Sequence, residues 1–209
     1  MSESSQKNCP EFLSAARNLR ILEEGVQVCL LNKLRMPAQI LLFCWCDVIA
    51  AMTDKDAQRY WSTKSKTIEW IDRNVVPKLS VPVTGTEIYA ARCGVLHGFT
   101  VESSEVKNGT CRRIAFTDLP EHAVNVAALL DRMKTAKFEH EPHAIVSIIE
   151  FMEVMSSATK NSLTAIQSDP EWTQKFIAFS EEQLDSFQVN PEIGASSKSS
   201  RDYHASPQD

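Results

Sequence analysis

Residues 40–52 read Ile-Leu-Leu-Phe-Cys-Trp-Cys-Asp-Val-Ile-Ala-Ala-Met, a run that is apolar on almost every face of a helix. A helix greasy all round has no side to give to water, so other elements must surround it. The run is too short to span a bilayer and carries Asp47, which argues for a protein core and against a membrane. One buried central helix is a demanding requirement. It calls for amphipathic helices on several sides, and therefore for a bundle. Asp47 adds a second demand, because a carboxylate buried there without a partner would be very costly.

The flanking sequence supplies such helices. Phe12, Ala15, Ala16, Leu19, Leu22, Val26 and Cys29 recur at helical spacing and predict an amphipathic helix over 11–35. Pro37 interrupts it and suits the start of the next helix, which covers 38–52. Thr53 and Asp54 can cap a third, with Ala57, Tyr60, Trp61, Ile68, Ile71 and Val75 as its apolar stripe. Thr84-Gly-Thr-Glu87 fits a capping box, so a fourth helix begins near Gly85 and ends near Gly98. Phe99–Val106 and Thr110–Thr117 flank Asn108-Gly109 and predict a β-hairpin over 99–117. Three helices follow. Ala123, Val126, Ala127, Leu130 and Met133 mark the first; Ile145, Ile148, Ile149, Met152, Met155, Leu163 and Ile166 mark a long second. Asp169-Pro170 opens the last, with Trp172, Phe176, Phe179, Leu184 and Phe187 inward. The expected fold is mostly α: a single domain over 1–189, about seven helices with one inserted hairpin, and a disordered tail over 190–209.

The formal net charge of −5 gives no global attraction for nucleic acid, so a nucleic-acid role needs a local basic cleft. Cys9, Cys29, Cys44, Cys46, Cys93 and Cys111 include no C-x-x-C pair. They read as reduced, buried thiols of a cytoplasmic protein. The polar start, Ser-Glu-Ser-Ser-Gln-Lys, is not a signal peptide.

Arg92 and His97 stand near the end of the fourth helix with four residues between them. Five helical steps turn the chain by about 140° and rise roughly 7.5 Å. The two Cβ atoms are not on one stripe, but an arginine is long enough to bring its guanidinium round to the histidine. The chemistry suits RNA. A neutral histidine can take the proton of a 2′-hydroxyl, and a permanently charged arginine can hold the phosphate as charge grows on its oxygens. Ten arginines and five histidines give about 0.24 chance matches to this spacing, so the pair gains its meaning from its surroundings. A histidine there also suits the helix dipole. For Asp47, Arg92 is a reasonable partner: Asp47 either orients Arg92 at a cleft or forms a structural ion pair with it.

Weaker candidates have simpler accounts. His140 and His143 lie on either side of Pro142 with no third ligand near, which fits a solvated helix start and no metal site. Arg112 and Arg113 alternate on the hairpin, and Lys64 and Lys66 lie on the third helix. All four read as surface charge. No phosphate-binding glycine loop or cofactor motif occurs, and no cofactor is expected.

Three segments together resemble the HEPN domains, short helical bundles with an Arg-x4–6-His signature. Leu41-Leu-Phe-Cys-Trp-Cys-Asp47-Val-Ile-Ala is similar to the family's early core helix, and Arg59-Tyr-Trp…Ile68-Glu-Trp-Ile-Asp72 to the next. Glu87-Ile-Tyr-Ala-Ala-Arg92-Cys-Gly-Val-Leu-His97 resembles the signature helix, including the aromatic before the arginine. The resemblance covers roughly residues 11–100. It implies a metal-independent endoribonuclease or RNA-binding protein with Arg92 and His97 catalytic and Asp47 and Cys93 supporting. It also implies a homodimer, with an antitoxin or other protein partner, in toxin–antitoxin or phage-defence systems. Other relatives are catalytically silent scaffolds or interaction modules. The residue after the arginine is often polar in active relatives, and here it is Cys93.

Overall fold

The computed structural model describes residues 9–55, 63–100, 102–118 and 143–183. Among them are seven α-helices and a two-stranded parallel sheet, a mostly α fold. The order is α1 (Pro10–Leu31), α2 (Arg35–Met52), α3 (Lys64–Asn74), α4 (Gly85–Gly98), α5 (Ser104–Lys107), β1 (Arg113–Thr117), β2 (His143–Ser147), α6 (Ile148–Gln167) and α7 (Pro170–Gln183). The helix expected at 123–133, the tail over 190–209 and residues Ala57, Tyr60 and Trp61 of the third helix's stripe lie outside the described residues. Thr53 and Asp54 do not cap the third helix: Thr53 ends α2, and Thr63 is the N-cap of α3, its side chain accepting from the Lys66 N–H.

α2 is the central helix. Leu42, Phe43, Trp45, Cys46, Ile49 and Ala50 are buried, and α1, α3, α4 and α6 pack against it. By length and composition alone α2 could cross a membrane, but half of it is buried against the rest of this chain. That is the behaviour of a core helix. Pro37 falls in its first turn, where a missing N–H costs nothing. The break before it is sharper than the sequence suggests. α1 stops at Leu31, and Lys33 adopts φ 58°, reversing the chain ahead of Arg35.

Another expectation is overturned. Among the described residues no β-hairpin spans 99–117. Residues 104–107 form a helical turn instead, capped by Ser103, whose side chain accepts from the Val106 N–H. Asn108-Gly109 lies just past the end of that turn, with Gly109 at φ 70°. A left-handed glycine suits a helix exit as well as a hairpin turn, so the dipeptide does not distinguish them. β1 is a strand, as the second half of the hairpin predicts, but its partner is β2, in parallel. The register runs from Arg113 opposite His143 to Thr117 opposite Ser147.

A further correction concerns the long helix. Ile145 lies in β2, and the helix starts only at Ile148. The short apolar run Ala144-Ile-Val146 fits helix and strand periods alike. The signal was in Ser147-Ile-Ile-Glu150: Ser147 is the N-cap and accepts from the Glu150 N–H. The strands bring Phe116 against Phe43 and Phe151, with ring centroids 5.7 Å and 6.3 Å away. This ties the small sheet to α2 and α6. α7 closes the bundle on α1, with Phe12 and Phe176 rings 5.2 Å apart.

Candidate functional site

α4 is placed by its N-terminus. Thr84 accepts from the Glu87 N–H and Glu87 accepts from the Thr84 N–H, completing the capping box expected there. Arg112 donates to Glu87 at 2.6 Å and to the Pro82 carbonyl at 2.6 Å, locking the entry. The guanidinium and the capping bonds hold the Glu87 carboxyl below its usual range, against the opposing effect of burial. The Gly85 N–H donates to Asp72 at 2.6 Å. A side chain there would not fit: a Cβ at Gly85 would lie 2.7 Å from the Ile68 carbonyl oxygen. α4 therefore abuts α3 at a fixed height, and its last two turns face α2 at Asp47.

The ion pair forms as the lone aspartate requires. Arg92 Nε donates to Asp47 Oδ2 at 2.9 Å, and Nη2 donates to the same oxygen at 2.5 Å. The two side chains are 19% and 28% exposed, so the pair is neither a surface contact nor sealed. Burial works against the Arg92 charge, but bonding to Asp47 outweighs it and keeps the guanidinium firmly protonated.

The other edge of the guanidinium reaches His97. Nη1 lies 3.0 Å from His97 Nε2. Arginine cannot accept a hydrogen bond, so His97 Nε2 is the acceptor and the imidazole proton sits on Nδ1. The residues separated by about 140° of helix thus meet, because the arginine side chain spans the difference. His97 itself is exposed, at the last turn of α4.

One aromatic residue borders the pair. The Tyr89 ring lies 5.5 Å from the Arg92 guanidinium carbon and 5.6 Å from Lys64 Nζ. Cations beside a ring are favourable and here bring two positive groups to one place. Lys64 also bonds Glu105 at 2.6 Å, which pulls that carboxyl down to about 2. Phe99 follows the helix at φ 48°, in the left-handed region, and is 70% exposed. The Phe99 N–H bonds the Val95 carbonyl and the Thr100 N–H bonds the Gly94 carbonyl, which end α4 as its glycine suggests.

The remaining candidates have structural work. Cys93 Sγ is 4.0 Å from Arg92 Nη1 and half-buried, at the border of the pair. Cys44, which no sequence signal linked to the site, is close enough to feel both charges. Burial and Asp47 push its thiol up, and Cys46 is pushed further still, so neither is an activated thiolate. Arg112 clamps α4, while Arg113 is buried and bonded to Glu102 at 2.8 Å, so the arginines expected at the surface serve the fold. Lys64 is exposed, as its helix face predicts, but its position beside Tyr89 depends on how α3 packs on α4. His143 is in β2, not a loop, and His140 is outside the described residues. Among the described residues no group of three His, Cys, Asp or Glu side chains could hold a metal ion.

Comparisons with models of known families, with curated proteins and with solved structures return no match for this chain.

Proposed function

We propose that the protein is a HEPN-like, metal-independent endoribonuclease of the cytoplasm, with Arg92 and His97 as its working pair. The observation that carries this is the 3.0 Å contact between Arg92 Nη1 and His97 Nε2, with Asp47 holding the opposite edge of the same guanidinium. A cation fixed on one edge and a neutral imidazole on the other are what phosphoryl chemistry without a metal needs.

In the free protein the His97 Nε2 lone pair is engaged by Arg92. A phosphate arriving at Nη1 competes for that donor and releases the lone pair. His97 then takes the proton of the ribose 2′-hydroxyl. The 2′-oxygen attacks the adjacent phosphorus, the P–O5′ bond breaks, and the departing 5′-oxygen takes a proton from water while His97 returns its proton to solvent. The products are a 2′,3′-cyclic phosphate and a 5′-hydroxyl. Asp47 acts as a positioning residue, since it bonds Arg92 and not the substrate. DNA lacks the attacking group and is spared.

The test is cleavage of RNA in EDTA by wild type and His97→Ala. A cyclic-phosphate product from wild type alone supports the reading. Equal product from both proteins, or none from either, overturns it. A second reading rests on the covered Asp47–Arg92 bond and on Cys93, the apolar departure beside the arginine. In that reading the pair is structural and the protein is a silent scaffold that binds a protein partner. It requires Arg92→Ala to lower stability with no RNA phenotype.

A further inference from the structure

Exposed large apolar side chains are not scattered over the described residues. Six of the seven (Leu13, Ile21, Val28, Leu31, Leu34 and Met36) lie on α1 or just after it. Leu13, Ile21, Val28 and Leu31 are 52%, 54%, 56% and 83% exposed, while the opposite face of α1 buries Phe12, Ala15, Leu19 and Val26. A helix with one face in the core needs no apolar residues on the other. Leu13, Ile21, Val28 and Leu31 share this outward face with Arg17, Arg20, Glu24 and Gln27, a mixture of apolar and charged groups that suits a polar interface.

The pattern specifies the partner. Leu13, Arg17, Arg20, Glu24, Gln27 and Leu31 are all exposed. They recur at steps of four, three, four, three and four, the spacing of a coiled-coil seam. The series reads the same backwards about Leu22, so an antiparallel copy of α1 presents the same seam in register. Leu13 then faces Leu31 at both ends of the contact. Arg20 faces Glu24 twice, once on each side of the axis, and Arg17 faces Gln27. Opposite charges meet and like charges do not. Ile21 is one residue from the centre, so the two Ile21 side chains lie beside each other on one flank. A parallel copy would set Arg17 against Arg17 and Arg20 against Arg20.

We infer that a second copy of this chain docks through α1, antiparallel, about a twofold axis at Leu22. This contact uses neither α4 nor the Arg92–His97 pair. A 22-residue helix is about 33 Å long, and one helix pair of that length falls at the small end of specific interfaces. The dimer is therefore a reversible one.

Sedimentation velocity of the full chain across a concentration series tests it. Wild type shifts from monomer to dimer. Arg20→Glu and Glu24→Arg each weaken the dimer about tenfold or more, since each brings two like-charged pairs together. The double variant R20E/E24R exchanges the two charges and restores association. Ile21→Glu abolishes it, and an unchanged circular dichroism melt confirms that this exposed position leaves the fold intact. A wild type that stays monomeric overturns the inference, as does a dimer indifferent to Ile21→Glu. A double variant no better than its parents overturns the charge register.

Discussion

Replacing Asp47 by alanine removes the only carboxylate in the central helix and leaves Arg92 without the partner it bonds through both Nε and Nη2. At 2.9 Å, with an effective dielectric constant of about 20, the gross attraction is roughly 6 kcal/mol. Most of that repays the desolvation of the two ions. Surface pairs are worth about 0–1 kcal/mol, while breaking a fully buried pair costs about 3–5 kcal/mol. With 19% and 28% exposure this pair lies between the two, and Asp47→Ala is expected to cost about 2 kcal/mol. For a chain of this size that lowers Tm by about 4–8 °C. Arg92→Met leaves Asp47 unpaired and costs a similar amount. The double variant then loses less than the sum, with a coupling of about 1–2 kcal/mol from urea unfolding. Strict additivity, or Asp47→Ala within about 0.5 kcal/mol of wild type, would falsify the account of Asp47 as a partner required by burial. In the proposed enzyme Asp47→Ala also frees the guanidinium to wander, so cleavage falls while Asp47→Asn, which still accepts a hydrogen bond, retains part of it.

Three further outcomes follow from α4. Gly85→Ala drives a Cβ to within 2.7 Å of the Ile68 carbonyl oxygen, so thermal melts should show a loss of about 1–3 kcal/mol. A stability equal to wild type would mean that α3 and α4 separate freely. Phe99→Gly relieves a left-handed non-glycine residue that is 70% exposed, so stability should rise by about 1 kcal/mol; a fall would mean the ring packs against something. The Glu87 carboxyl is lowered in the folded state from an ordinary value of 4.5, chiefly by Arg112. Its contribution to stability is thus complete above about 4.5 and is lost as pH falls through the lower folded-state value. Glu87→Gln should flatten the stability–pH curve below 4.5, and an unchanged slope would assign that acid sensitivity elsewhere.

Local chemistry explains the elements that the sequence announced. Thr84 and Glu87 form the α4 cap, Pro170 opens α7, and the apolar run around Phe43 is buried, because each signal involves atoms within a turn or two of one another. The hairpin failed where two local signals were compatible with more than one outcome. Asn108-Gly109 suits a helix exit, and β1 found its partner at His143–Ser147, far along the chain. Ile145 joined the wrong element because a short apolar run has no period of its own, although Ser147 and Glu150 marked the boundary.

The site divides in the same way. Sequence alone determined that Asp47 needed a partner and that Arg92 and His97 shared a capped helix. Burial of an isolated charge and the geometry of one helix are properties of a few neighbouring residues. Only tertiary packing decided which arginine met Asp47, which edge of the guanidinium remained for His97, and that Lys64, Tyr89 and Cys44 belonged beside them. Those contacts join α2, α3 and α4 over tens of residues, and they depend on the height at which Gly85 lets α4 rest against α3.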